Sequence, residues 1–169
     1  MIRFVILLCA VSLVKGRTTQ VQQCTHHNGP LPINTYIEGC IQPPCNLPQQ
    51  QDAIINIIFR APYTMHRMRT SANAFYLQST TAIPYPLGAN GVTCNFLTNT
   101  YCPVVTGEVI QYQLRMYILD RFPLGAQVDV EFRIADDSNN NVVCIRVPIR
   151  IVEPVNSRGG TNTTVIDQA

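Results

Sequence analysis

The chain has 169 residues, of which 46% are hydrophobic and only 13% are charged, so a large apolar surface must be buried. Its net charge of +2 comes from Arg3 and Lys15, because the rest of the chain carries ten arginines, ten carboxylates and no lysine. A chain without excess positive charge lacks the electrostatic basis for binding nucleic acid, and we expect none to bind.

Residues 1–16 predict a secretory signal peptide, with a basic Arg3, an apolar run over residues 4–14 and the small Gly16 at a cleavage point. The run is shorter than the ~20 residues that span a bilayer. We therefore expect a secreted, extracellular protein with at most transient membrane contact, and we place it in the lysosomal lumen only as the weaker alternative. Residues 17–153 are expected to form one domain, and a polar tail follows over residues 154–169. The sequence Asn162-Thr163-Thr164 predicts glycosylation at Asn162.

Alternating apolar and polar residues predict strands over residues 35–37, 55–60, 110–118, 127–134 and 143–151. In residues 127–134 one face is apolar, while Glu131 and its polar neighbours are expected to face water. Turn signals separate the runs, and no long amphipathic helix lies between them. These features predict an all-β antiparallel sandwich that is immunoglobulin-like in shape. Composition leaves open whether the apolar surface fills a core or lines an interior for an apolar ligand.

Six cysteines remain after the signal peptide removes Cys9, and an oxidising compartment favours their pairing as disulfides. Six cysteines allow fifteen connectivities. Two pairs can close locally, one across a proline turn and one across a polar loop, which leaves the first cysteine with the last. The hypothesised pairs are Cys24 with Cys144, Cys40 with Cys45, and Cys94 with Cys102.

Motifs for catalysis are missing from the sequence, which lacks the Gly-x-Ser-x-Gly, His-Glu-x-x-His and phosphate-loop patterns. His26, His27 and His66 have no obvious nucleophile or carboxylate partner. The pair His26-His27 is interpreted as a solvated segment, and Asp136-Asp137 as part of a hairpin turn. We therefore expect no enzyme activity, no catalytic residue, no cofactor and no metal site.

Several landmarks between the cysteines resemble the ML (MD-2-related) lipid-recognition family, which contains the secreted Niemann-Pick type C sterol-transfer proteins and the group 2 mite allergens. They are Gly39-Cys40, Ile83-Pro84-Tyr85-Pro86-Leu87, Cys102-Pro103-Val104, Phe122-Pro123, Val130-Glu131-Phe132 and Cys144-x3-Pro148-Ile149. The resemblance covers about residues 24–152, and the chain looks like a divergent insect-type member. It implies a β-sandwich of about seven antiparallel strands, the same three disulfides and an apolar cavity between the two sheets.

The resemblance also implies which residues contact a ligand. Three match the mouth of the cavity, four match its wall, and ordinary core packing is the alternative for Ile55, Ile57 and Phe132. Relatives carry lysines around the mouth, and Arg67 and Arg69 could replace these only in part. The ligand-binding set implied is Tyr85, Ile118 and Phe122 at the mouth, with Ile55, Ile57, Phe59 and Phe132 along the wall.

The function implied by the resemblance is a soluble, monomeric lipid carrier. Its partner would be a small apolar ligand such as a sterol, a fatty acid or a semiochemical. The alternative is an innate-immune recognition protein that captures microbial lipids in the same cavity.

Overall fold

The computed structural model describes residues 16–76 and 79–155, and within them nine strands form two sheets. Two 3₁₀ helices, Gly88–Gly91 and Thr93–Phe96, lie between the sixth and seventh strands. The tail residue Asn162 and most of the predicted signal peptide lie outside the described residues. The strands are β1 Gln22–Gln23, β2 Asn34–Ile37, β3 Cys45–Pro48, β4 Asp52–Arg60, β5 Met68–Tyr76, β6 Ile83–Tyr85, β7 Val109–Tyr117, β8 Gln127–Asp136 and β9 Asn141–Val152.

The two sheets confirm the predicted β-sandwich. The large sheet has the order β1-β9-β8-β5-β6, and β3 adds to it as a parallel partner of β9. The small sheet has the order β2-β4-β7, in which both pairings are antiparallel. The alternation of side chains turns one face of each sheet toward the other, so the core lies between them. Among the described residues, no helix is long and apolar enough to cross a membrane.

Core packing follows the alternation seen in the sequence. Ile55, Ile57 and Phe59 on β4 are each 1% exposed, and Leu114 on β7, which pairs with Ile55, is fully buried. On the large sheet, Phe132 of β8 is 1% exposed. Full burial of each such side chain contributes roughly 1.5–3 kcal/mol, so these inward faces supply much of the stability of the sandwich.

Strand β5 was not predicted, because its inward positions carry small or polar side chains. They are Thr70, Ala72 and Ala74, and the Thr70 hydroxyl forms a buried hydrogen bond of 2.8 Å with the hydroxyl of Thr93. A strand with alanines on its inner face occupies little of the space between two sheets. This property of β5 leaves room for a cavity next to it.

Three disulfides join the cysteines in the hypothesised pairs. Their Cα–Cα distances are 5.7 Å for Cys24–Cys144, 5.4 Å for Cys40–Cys45 and 5.7 Å for Cys94–Cys102, within the usual range for disulfides. The first of these ties the amino-terminal segment to β9. In the chain-entropy account, a cross-link that closes so long a loop stabilises the fold by ~4–5 kcal/mol.

Candidate functional site: an apolar cavity between the sheets

A cavity of about 100 Å³ lies between the sheets where β5 and β6 face the end of β7. The side chains that line it are apolar except for the phenol groups of Tyr76 and Tyr85. Five strands and the residues next to them contribute to the wall: Ala74 and Tyr76 from β5, Ile83 and Tyr85 from β6, Met116 with Ile118 and Phe122 at and beyond the end of β7, Ala126, Val128 and Val130 at the start of β8, and Ile149 and Ile151 from β9.

The three residues predicted for the mouth, Tyr85, Ile118 and Phe122, all line the cavity; Tyr85 and Phe122 are half-buried and Ile118 is buried. The rings of Tyr85 and Phe122 stack with their centroids 5.7 Å apart and an interplanar angle of 28°. The Tyr85 hydroxyl donates a hydrogen bond to the carbonyl oxygen of Tyr117, which links β6 of the large sheet to β7 of the small sheet. The phenol of Tyr85 is protonated at neutral pH and can donate this bond, and burial raises its pKa further above the ordinary value of 10.

Backbone and amide hydrogen bonds hold the mouth in place. Ile118, only 2% exposed, accepts from the backbone N–H of Gln50 at 2.7 Å and donates to the carbonyl of Gln51 at 2.9 Å. The amide of Gln49 donates to the carbonyls of Asp120, at 3.0 Å, and Phe122. Because Gln49 is itself buried, the loop that carries Phe122 is fixed from below. Sequence reasoning did not identify this supporting role for Gln49.

The predicted ligand-binding residues divide into two groups in the structure. Tyr85, Ile118 and Phe122 all line the cavity, as the resemblance implied for a mouth. The other four predicted residues are 1% exposed and lie in the packed core outside the set that lines the cavity: Ile55, Ile57, Phe59 and Phe132. They pack as ordinary core residues. The sequence shows which side chains point inward, but periodicity alone cannot say which of them lie at the end of the sandwich where the sheets separate.

Exposed apolar side chains surround the mouth. Tyr76 and Ile83 line the cavity and are 48% and 44% exposed, and Tyr117 and Leu124 are 47% and 52% exposed. Single exposed apolar residues are common on soluble proteins, whereas a group around an apolar opening marks a place where an apolar molecule can pass.

A second cluster lies on the outer face of the large sheet around Glu131, which is completely buried. Its carboxylate accepts hydrogen bonds from the backbone N–H of Thr25 at 2.8 Å and from ring nitrogens of His26 and His27 at 3.1 Å each. Burial would raise the pKa of Glu131, but these hydrogen bonds lower it to about 2. The expectation that His26 and His27 have no carboxylate partner is wrong, as is the expectation that Glu131 faces water. The amino-terminal segment folds across the strand and covers it.

The Glu131 cluster fastens one segment to the sheet and has no donor set suited to a metal ion. The imidazoles bind different carboxylate oxygens, and Nη1 of Arg146 lies 3.6 Å from Oε1, where it would repel a cation. The sulfurs of Cys24 and Cys144 are close to the carboxylate but are joined in a disulfide, so they are not thiolate ligands. The predicted hairpin turn at Asp136 is confirmed, since β8 ends there and pairs with β9.

Comparisons with known proteins give a consistent family. The family profile of the ML domain matches residues 18–151. The chain is 23% identical to NPC intracellular cholesterol transporter 2 of Danio rerio, covering 88% of this chain and 95% of that protein, and 22% identical to the protein of the same name from Mus musculus, with coverages of 87% and 94%. A crystal structure of a Niemann-Pick type C2 protein from Japanese carpenter ant superposes with a TM-score of 0.64 at 14% identity, covering 78% of this chain and 98% of that one. At this identity the structural likeness supports the fold alone.

Proposed function

The chain belongs to the ML domain family, and from that premise we propose that it is a secreted carrier that binds a small apolar lipid between its sheets. The observation that carries the proposal is the apolar cavity behind Tyr85 and Phe122. The two relatives whose names describe cholesterol transport support the same ligand class. The three disulfides fit an extracellular location.

Protein interiors are otherwise packed as densely as organic crystals, so an apolar space of about 100 Å³ between two sheets is unusual. Two of its lining residues, Tyr76 and Ile83, are 48% and 44% exposed, so the space opens toward solvent. An apolar space with an opening is suited to an apolar ligand.

The cavity, at about 100 Å³, is smaller than any of the expected ligands. An engineered apolar cavity of about 150 Å³ accommodates benzene, so this one must widen to accept a fatty acid or a sterol. Widening requires Tyr85 and Phe122 to separate and the hydrogen bond between Tyr85 and Tyr117 to break. A single flexible chain needs less separation than a rigid ring system or a multi-chain lipid. A carrier of one small lipid is therefore favoured over the capture of a multi-chain microbial lipid.

Burial of the ligand supplies the binding energy. A ligand that hides ~400 Å² of apolar surface gains on the order of 10 kcal/mol before the costs of association, which is enough for micromolar affinity with few polar contacts. Selection then depends on the shape of the cavity. The ligand classes we propose are fatty acids, sterols and semiochemicals of similar size.

Replacing Ile118 by aspartate tests the proposal in a titration with a fluorescent fatty acid and a fluorescent sterol. Ile118→Asp should weaken binding at least about 100-fold, because a carboxylate that faces an apolar cavity loses its hydration without gaining a partner. Ile41→Asp makes the same change at a position that is 67% exposed and should leave binding unchanged. Normal binding by Ile118→Asp would exclude the cavity as the site. Mass spectrometry of lipid extracted from the natively secreted protein would identify the ligand.

A further inference from the structure

A second concave site lies on the outer face of the large sheet, well separated from the lipid cavity. It is a groove of about 600 Å³ between the Cys94–Cys102 loop and the β8–β9 turn, and it shares no lining residue with the cavity. Arg67, Arg69 and Arg133 all line it. Arg69 is seven residues from Tyr76 along β5, which corresponds to roughly 20 Å along a strand. Arg67 and Arg69 therefore do not take the place of lysines at the mouth.

The floor of this arginine groove places like charges close together. Arg69 pairs across the strands with Ala135, and Arg133 pairs with Ser71, so the two arginines are diagonal neighbours on one face. Diagonal neighbours are within reach of each other's long side chains, and like charges in such a pair repel. The small side chains of Ser71 and Ala135 occupy the other diagonal and leave space between the guanidinium groups.

The three arginines in the groove differ in whether their guanidinium groups hydrogen-bond to other residues of the protein. Arg133 donates to the carbonyl and the side-chain oxygen of Asn139, at 2.8 and 2.7 Å. Arg67 and Arg69 make no side-chain hydrogen bond, ion pair or aromatic contact within residues 16–76 and 79–155. Besides Arg133, five arginines in those ranges have such a partner: Arg17, Arg60, Arg115, Arg121 and Arg146. Two guanidinium groups thus point into a groove with their donors available.

Both walls of the groove are held in place. On one side, Val92 forms a backbone bridge with Arg69, and the buried Thr70–Thr93 hydrogen bond ties the second 3₁₀ helix to β5. The disulfide at Cys94 constrains the same wall. On the other side, the carboxylate of Asp136 accepts hydrogen bonds from Tyr63 and Asn140, which fix the turn. A site with rigid walls loses little entropy when it binds a ligand.

We propose that the arginine groove binds a tetrahedral oxyanion, a phosphate or sulfate group, between Arg67 and Arg69 with Arg133 beside them. A guanidinium group presents two parallel N–H donors that match the oxygens of such an anion, and the anion removes the repulsion between neighbouring arginines. Asp137 is exposed at the rim of the groove and opposes an anion. Removing the Asp137 charge should therefore strengthen anion binding, whereas removing the arginines should weaken it. The mouth lies far from the groove and on the inner side of the sheet, so the proposal commits to a soluble phosphate or sulfate group and not to a membrane surface.

Titration of the full chain with inorganic phosphate and inorganic sulfate, followed by ¹H–¹⁵N NMR, tests the proposal against chloride at the same ionic strength. Saturable shifts are expected at the amides of Ser71, Asn95 and Ala135. The double variant Arg67→Ala/Arg69→Ala should weaken phosphate binding at least about 10-fold. Arg17→Ala, which removes an exposed arginine outside the groove, should leave the affinity unchanged.

Asp137→Asn should strengthen phosphate binding about twofold or more, because it removes the opposing charge at the rim. All variants should retain lipid binding, which shows that they are folded. Absence of saturable shifts, an equal loss in Arg17→Ala, or an unchanged affinity in Asp137→Asn would overturn the proposal. Vesicles of phosphatidylglycerol form a separate arm of the test. Binding to these vesicles through Arg67 and Arg69 without binding of inorganic phosphate would also overturn it, in favour of an anionic membrane surface.

Discussion

Replacing Glu131 by glutamine should destabilise the protein, because this carboxylate fastens the amino-terminal segment to β8. Its pKa is about 2 in the folded protein against an ordinary value of 4.5. At about 1.4 kcal/mol per pKa unit, the difference corresponds to on the order of 3 kcal/mol of stability at neutral pH. Glutamine has a similar shape, and its carbonyl oxygen can accept from the backbone N–H groups of Thr25 and His26 as Oε1 now does, but it lacks the negative charge that faces Arg146 and the two imidazoles. We expect Glu131→Gln to lose about 3 kcal/mol.

The pH dependence of this effect has a definite sign. The folded pKa lies below the ordinary value, so the stabilisation is fully present above about pH 4.5 and is lost as the pH falls through 2. Urea unfolding at pH 7 and pH 3 measures it, and the difference between the wild-type protein and Glu131→Gln should shrink at the lower pH. Glu38→Gln, at an exposed position, is the matched control. If Glu131→Gln is as stable as Glu38→Gln at pH 7, Glu131 does not hold the segment and the prediction is wrong.

Three further changes address the cavity and the tail. Ala74→Leu should fill the cavity and abolish lipid uptake without lowering the stability. The control Ala53→Leu overpacks the densely packed core and should lower the stability by about 1–3 kcal/mol. Lipid binding by Ala74→Leu at wild-type affinity would contradict this prediction. Tyr85→Phe removes the hydroxyl that donates to the carbonyl of Tyr117, so stopped-flow measurements should show faster lipid uptake, and an unchanged rate would show that this bond does not limit opening. Glycosidase treatment of protein secreted by a eukaryotic host should reduce its mass if Asn162 is modified, and a constant mass would remove the prediction.

The sequence predicts the strands whose inward faces are apolar and whose outward faces are polar. Strands β4, β7, β8 and β9 have this clean period of two, and all four were predicted. Strand β5 does not have it, because Thr70, Ala72 and Ala74 do not differ enough in polarity from the residues between them. Strands β1 and β6, of two and three residues, are too short to show a period, and β3 contains Cys45 and Pro48, which interrupt one. The predicted sandwich was therefore correct in class and incomplete in its strands.

Contacts between distant segments limit what the sequence can predict about the sites. Glu131 lies on the face of β8 that the sequence predicts to be polar. Only folding brings Thr25, 106 residues away in sequence, into contact with its carboxylate. The same applies to Gln49, whose amide supports the carbonyls of the loop at Phe122. The resemblance to a family predicted Tyr85, Ile118 and Phe122, which all line the cavity; for Tyr85 and Phe122 the signal is a proline-aromatic landmark that is local in sequence. The supporting residues have no such local signal.

The position of the cavity follows from an unequal distribution of side-chain size between its walls. Ala74 and Ala126 contribute the smallest side chains, while Met116 and Ile118 contribute large ones. Larger residues at either alanine would occupy the space. Substitutions of this kind are easily available to a protein, so the small side chains at these positions are consistent with the proposed ligand site. The stacked pair of Tyr85 and Phe122 covers this space without filling it, which is the arrangement that the proposed loading and release of an apolar ligand would need.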